Sequence, residues 1–232
     1  MSLALNIHRL LSLFFPPCCP VCGSALQEGE DTLCTACKCR LPRTGYWQDQ
    51  DPYIEQMFWG KVPVARATAF LYYHKGSPYS RLVRLMKYGG RKDLGVAMGR
   101  LMGGELAACG FFSDVDALMP VPLHRRKQRK RGYNQSACLA QGVAQVTGLP
   151  VLDGCLCRVK DTGSQTHLTV AERWNNMSHV FRLDNPSAIR GKHIMLIDDV
   201  LTTGATLTAC ADALKQAEGT SVSMLALARA DS

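Results

Sequence analysis

Ile194-Met195-Leu196-Ile197-Asp198-Asp199-Val200-Leu201-Thr202-Thr203-Gly204-Ala205-Thr206 is the stretch whose reading decides the fold. Ile194 to Ile197 is apolar at every position and too short for a helix, bounded by Gly191 on one side and two carboxylates on the other. Such a run suits a parallel strand buried on both faces. From Leu207 onward, Leu207, Cys210, Ala211 and Leu214 recur at the spacing that gives a helix one apolar face. The turn from Thr202 to Thr206 therefore sits at a helix N-terminus, where unpaired backbone N–H groups, the positive end of the helix dipole and threonine hydroxyls make a nest for a phosphate. Asp198 and Asp199 fall at the carboxyl end of the strand, where open α/β sheets place their ligands. Acceptor-only side chains there suit vicinal sugar hydroxyls. The segment calls for a ribose that carries a phosphate. An ordinary capped strand-turn-helix explains it less well, because paired acids at a strand end serve packing poorly. No two of its glycines flank a single residue, and no Gly-Lys-Thr or Gly-Lys-Ser occurs in the chain, so neither the dinucleotide fingerprint nor a P-loop is present.

The chain has 232 residues, 47% of them hydrophobic. That is enough for one ordinary core and a small appended module. The formal charge is +8, and six of the positive charges lie in the octapeptide His124-Arg125-Arg126-Lys127-Gln128-Arg129-Lys130-Arg131. The basicity is local, and it fits a ligand bearing a diphosphate or a nucleic acid alike.

Eleven cysteines are an odd number, and residues 3–15 lack a basic leader and a small-residue cleavage site. That apolar stretch reads as a short amphipathic helix packed on the body, and the protein is expected to be cytoplasmic with reduced thiols. No apolar run approaches the ~18 residues a membrane span needs. Six cysteines crowd between positions 18 and 39, where Cys19-Pro20-Val21-Cys22 and Cys34-Thr35-Ala36-Cys37 make two C-x-x-C pairs separated by eleven residues. Cys19, Cys22, Cys34 and Cys37 are the expected ligands of one structural Zn²⁺ with all four positions filled. The ion would supply folding energy that so short a segment lacks. A redox dithiol would require a βαβ setting, which this segment does not offer. Cys18 and Cys39 lie just outside the pairs and could replace a ligand.

Along the rest of the chain, 46–62 reads as a linker and 65–73 as a strand. Ser77-Pro78 opens a helix carrying Leu82, Leu85 and Met86, and a second helix runs over 93–109. Another strand spans 116–123 and runs into the basic octapeptide, read as a loop. Arg131-Gly132-Tyr133-Asn134-Gln135-Ser136 then leads into a helix with Leu139, Val143 and Val146, and Thr169 to Glu172 forms a capping box. Alternating strands and helices argue for a parallel α/β sheet flanked by helices. The expected division is a helix plus double C-x-x-C zinc ribbon over 1–45, a linker over 46–62, and the α/β domain over 63–232.

The thirteen-residue stretch closely resembles the PRPP-binding signature of type I phosphoribosyltransferases. Pro16-Pro17-Cys18-Cys19-Pro20-Val21-Cys22-Gly23, Leu85-Met86-Lys87-Tyr88-Gly89-Gly90-Arg91, Pro120-Val121-Pro122-Leu123-His124, Arg131-Gly132-Tyr133-Asn134-Gln135 and the spaced Gln165, Leu168, Arg173 and Asn176 extend the likeness in order along the chain. Together they resemble the ComF (competence protein F) family of bacteria, a type I phosphoribosyltransferase-like domain behind a zinc ribbon. The resemblance implies catalytic roles for Asp198 and Asp199 on the ribose 2′ and 3′ hydroxyls. It implies PRPP binding by Val200, Leu201, Thr202, Thr203, Gly204, Ala205 and Thr206, with the loop on the 5′-phosphate. It implies a pyrophosphate loop with Pro122, Leu123, His124, Arg125 and Arg131, served by Mg²⁺ that arrives with PRPP; the alternative for that run is a solvated charged loop. It also implies a link to competence and use of external DNA.

Two functions remain open at this point. One is transfer of a phosphoribosyl group to an unidentified acceptor. The other is a non-catalytic PRPP sensor that engages single-stranded DNA or other competence proteins, with Tyr46, Trp47, Tyr53 and Trp59 either stacking on bases or packing an interface.

Overall fold

The computed structural model describes residues 16–48, 51–159 and 180–230. The expected N-terminal helix, the capping box and Gln165, Leu168, Arg173 and Asn176 lie outside them. Four strands form one parallel sheet: β1 (Ala67–Tyr73), β2 (Ala117–Pro120), β5 (His193–Leu201) and β6 (Ser221–Ala230), in the order β1-β6-β5-β2. β5 and β6 are the two inner strands, which is why each carries an uninterrupted apolar run, Ile194 to Ile197 and Met224 to Ala228. Their side chains alternate between two cores. Met195, Ile197, Leu225 and Leu227 face one layer, while Ile194, Leu196, Met224 and Ala226 face the other.

The first layer holds α2 (Ser80–Tyr88), α3 (Lys92–Ala108) and α5 (Gln135–Thr147), and the second holds α6 (Ala205–Leu214). Ser77 and Pro78 form a turn ahead of α2, which begins at Ser80 rather than at the expected Ser77-Pro78, and Ser77 Oγ accepts from the Ser80 N–H at 3.2 Å. α3 and α5 cross with their backbones touching. A Cβ on Gly142 would stand 2.1 Å from the Val96 carbonyl oxygen, and one on Gly99 would stand 2.2 Å from that of Leu139. Of the apolar positions expected on α5, Leu139 and Val143 are buried, whereas Val146 is exposed.

Three stretches differ from expectation. The basic octapeptide is not a loop: Arg125–Arg131 is a helix, α4, capped by His124, whose Nδ1 accepts from the Arg126 N–H at 3.3 Å, and ended by left-handed Gly132. Arg, Lys and Gln are good helix formers, and this intrinsic preference outweighs the repulsion of like charges in a solvated turn. Segment 46–62 contains a 3-10 turn, Glu55–Phe58, and buries Trp47, Ile54, Phe58 and Val62. Its apolar residues fill both cores rather than span solvent. Leu156–Arg158 (β3) and Phe181–Leu183 (β4) pair antiparallel over the second core, an element that three-residue strands do not announce in a sequence.

The N-terminal module, which carries the short helix α1 (Thr35–Cys39), is docked on the α2–α3 layer. Leu33, Cys37 and Leu41 share the first core with Met98 and Met102. Arg43 bonds Glu105 through two nitrogens at 2.6 and 2.7 Å, and Arg100 pairs with Asp31 at 2.7 Å. Among the described residues no helix is long and apolar enough to cross a membrane.

Candidate functional site

β5 continues past its apolar run, so that Asp198 and Asp199 lie within the strand, Asp198 beside Ala226 of β6. The hydroxyl-rich turn follows. Thr202 and Thr203 are exposed, and Gly204 caps α6 in the left-handed region at φ +76. Only glycine fits there. A Cβ would stand 2.9 Å from the buried Phe58 ring, which closes the turn from behind. No side chain caps α6, so its first amides are left for a solvent or ligand acceptor. Thr208 secures the turn by donating to the Gly204 carbonyl at 3.0 Å.

The two acids have different surroundings. Asp198 accepts from the Ser136 hydroxyl at 3.1 Å and from the Asp199 N–H at 2.8 Å. Burial, and then the neighbouring Asp199 charge, push its carboxyl up to about 7 against these bonds. Asp199 pairs with the Lys87 ammonium at 3.1 Å. Ser136 opens α5, where Asn134 caps the helix by accepting from the Ser136 N–H at 3.1 Å and donates to the Val121 carbonyl at 3.0 Å. Lys87 closes α2, whose Met86 carbonyl accepts from both the Tyr133 hydroxyl and Gln135 Nε2. The Leu85-to-Arg91 and Arg131-to-Ser136 segments therefore meet over the acids. Lys87 and Ser136 are site residues that sequence reasoning did not single out; their signal was only their place in motifs whose spatial meeting is not written in spacing.

The five residues expected on the pyrophosphate loop are not gathered at one point. Pro122 and Leu123 are half-buried between β2 and α4, and His124 caps α4. Arg125 opens α4 on the β3–β4 side, near Asp184, whose pKa is lowered chiefly by its hydrogen bond from Arg182 and to a small extent by the Arg125 charge. Arg131 ends it about 9 Å further along the axis, donating to Gln135 Oε1 at 2.8 Å and stacking 5.4 Å from the Tyr88 ring centroid. Arg131 is joined, through Gln135 and Tyr88, to the two segments that hold the acids.

In the N-terminal module, the sulfurs of Cys19, Cys22, Cys34 and Cys37 all lie within 4.8 Å of one another, and Cys22 Sγ is 3.7 Å from Cys34 Sγ. Four thiolates about 2.3 Å from one ion span tetrahedral edges of about 3.8 Å, so the donor set fits a structural zinc. Gly23, at φ +80, donates to the Cys19 carbonyl at 2.8 Å and turns the first knuckle. Hydrogen bonds from Ser24 draw the Cys22 thiol down to about 6, whereas burial and the neighbouring sulfurs push Cys37 up, so a bound metal would have to displace protons from the cluster. Cys18 and Cys39 are exposed and outside the cluster.

Comparison with known proteins agrees with this geometry. Residues 136–232 match the phosphoribosyl transferase domain model. The chain is 32% identical to the DNA utilization protein YhgH of Salmonella typhi over 155 residues, covering 66% of this chain and 67% of that one. It is 26% identical to competence protein F of Haemophilus influenzae over 233 residues, 94% of this chain and 99% of the relative. Competence protein ComFC of Bacillus subtilis is 34% identical over 113 residues, 48% of this chain and 44% of that protein.

Proposed function

The chain belongs to the ComF family of phosphoribosyltransferase-domain proteins, and from that premise we propose that it binds PRPP at the end of β5 and transfers its phosphoribosyl group to an acceptor. The observation that carries this reading is the continuity of Asp198, Asp199 and the uncapped turn at the start of α6. In it, the two carboxylates accept the ribose 2′ and 3′ hydroxyls and hold the ring in one orientation. The Thr202 and Thr203 hydroxyls and the first amides of α6 bind the 5′-phosphate, with Val200, Leu201, Gly204, Ala205 and Thr206 shaping the turn. Arg131 lies on the diphosphate side, and Pro122, Leu123, His124 and Arg125 lead towards it through the β2–α4 connection and the start of α4. Mg²⁺ arriving with PRPP would neutralise the diphosphate oxygens. Acids beside the ribose also favour positive charge developing on its ring as the bond to the diphosphate breaks. Among the described residues, those up to 45 belong to a zinc-bearing module and those from 63 onward to the transferase domain, with the stretch between as a packed strap.

The phosphate part of this reading is tested by thermal unfolding. Ribose 5-phosphate raises the unfolding temperature and ribose at the same concentration does not. An equal response to both sugars, or none to either, contradicts it.

A second reading is supported by the exposed side of α4, which borders the proposed PRPP site. Arg125, Arg126, Arg129 and Lys130 of α4 are all exposed, and the nearby Tyr88 is 74% exposed with Arg131 on its ring. Cations beside an accessible aromatic suit single-stranded DNA, and the Salmonella relative is named a DNA utilization protein. Binding of an oligo-dT strand is then expected to fall steeply with salt, and replacing those four cations by glutamine to flatten the slope. Salt-insensitive binding, or none, removes this reading.

A further inference from the structure

Lys87 is an unusual partner for Asp199. Its side chain is 23% exposed and that of Asp199 13%, so the 3.1 Å pair is largely withdrawn from water. A carboxylate assigned to a ribose hydroxyl has little reason to be spent on a purely structural ion pair, since such pairs gain little stability over the cost of desolvating both charges. The lysine is also held firmly. The adjacent Met86 carbonyl takes two hydrogen bonds from the segment that leads into α5, and the next residue, Tyr88, carries Arg131 on its ring. Lys87 is thereby fixed between the acids and the end of the basic helix.

The chemistry of PRPP gives that position a meaning. Its diphosphate is attached at C1 on the same face of the ring as the 2′ and 3′ hydroxyls, and C1 neighbours C2. A cation bonded to a carboxylate that grips those hydroxyls is within reach of the first phosphate of the diphosphate. An ammonium has three donors, so it can keep Asp199 and still bind a phosphate oxygen. We propose that Lys87 is a binding residue for the diphosphate of PRPP, positioned by Asp199 and by the Met86 carbonyl network. Arg131, stacked on Tyr88 next in the chain, would extend the same cationic wall towards the second phosphate. This inference rests on the PRPP reading above.

The test compares two ligands that differ only in the diphosphate. PRPP with Mg²⁺ and ribose 5-phosphate are each titrated calorimetrically into the wild type, Lys87→Gln and Lys87→Arg. Loss of a charge-assisted bond to phosphate predicts that Lys87→Gln weakens PRPP binding about tenfold to a hundredfold. Ribose 5-phosphate binding changes by less than about threefold, and Lys87→Arg recovers part of the PRPP affinity. Equal losses for both ligands would show that Lys87 acts only by propping up Asp199, and no loss for either would remove it from the site; each overturns the proposal. Failure of the wild type to bind either ligand would instead defeat the PRPP reading on which it stands.

Discussion

Asp198 and Asp199 are adjacent in sequence, yet the fold gives them different electrostatics. Lys87 pairs directly with Asp199, whereas Asp198 has two hydrogen bonds and only the more distant Lys87 charge to set against burial and its neighbour's charge, and its pKa rises from 3.8 to about 7. For an acid with a raised native pKa, the native state keeps its proton where the unfolded state has released it. Stability from this group therefore falls as pH rises from about 4 to about 7 and is level above that. Asp198→Asn removes the cost, so the variant should unfold above the wild type at pH 8, on the order of 1 kcal/mol or about 2–4 °C for a chain of this size. The gap should shrink towards pH 4. Thermal scans at both pH values check this, and a variant less stable than the wild type at pH 8 contradicts it. A site that gains stability when a residue it needs is removed is the expected mark of function over packing. The acids themselves were legible in the sequence, because two carboxylates ending an apolar run have few structural uses. Their inequivalence was not, since Lys87 and Ser136 reach them from segments far away in the chain.

Among elements, the strand-turn-helix from β5 to α6 was legible because its period changes from a buried run to helical spacing within a few residues. The basic segment misled because charge was weighed above propensity, and α4 is held by caps at His124 and Gly132 that only the structure displays. The α3–α5 crossing is set by glycine. Gly99 and Gly142 stand backbone to backbone, and a Cβ on Gly142 would also approach Arg100 N to 2.7 Å. Gly142→Ala must push the helices apart, at a cost of about 3 kcal/mol, which lowers the unfolding temperature by roughly 6–12 °C. Gly104→Ala, on the same helix α3 and meeting nothing within 4 Å, should be neutral or slightly stabilising. Equal tolerance of both substitutions would mean that the crossing is not set by backbone contact. Because the first turn of α5 carries Ser136, which bonds Asp198, the Gly142 variant should also weaken ligand binding.

At the scale of the whole molecule, the four-cysteine module and the phosphoribosyltransferase domain share one core. Cys19, Cys34, Cys37 and Trp47 lie in the same cluster as Met98, Met102 and the inner strands. The zinc site was legible from cysteine spacing, but its docking was not, because the contacting residues are scattered over α2, α3 and segment 41–47. Docking has a consequence for metal removal. Chelation should lower the unfolding temperature of the whole chain by about 5 °C or more, with recovery on adding zinc, rather than melt the module alone. A main transition untouched by chelator would mean that the module contributes nothing to the domain's stability.

The central claim is that the two acids and the turn after them bind the ribose and phosphate of PRPP. It is tested most directly by calorimetric titration of the zinc-loaded protein with PRPP and Mg²⁺, beside the Asp198→Asn/Asp199→Asn double variant. The account predicts roughly micromolar binding by the wild type and a loss of about a hundredfold or more in the variant. Equal affinity in the two proteins, or no binding by the wild type, would contradict it.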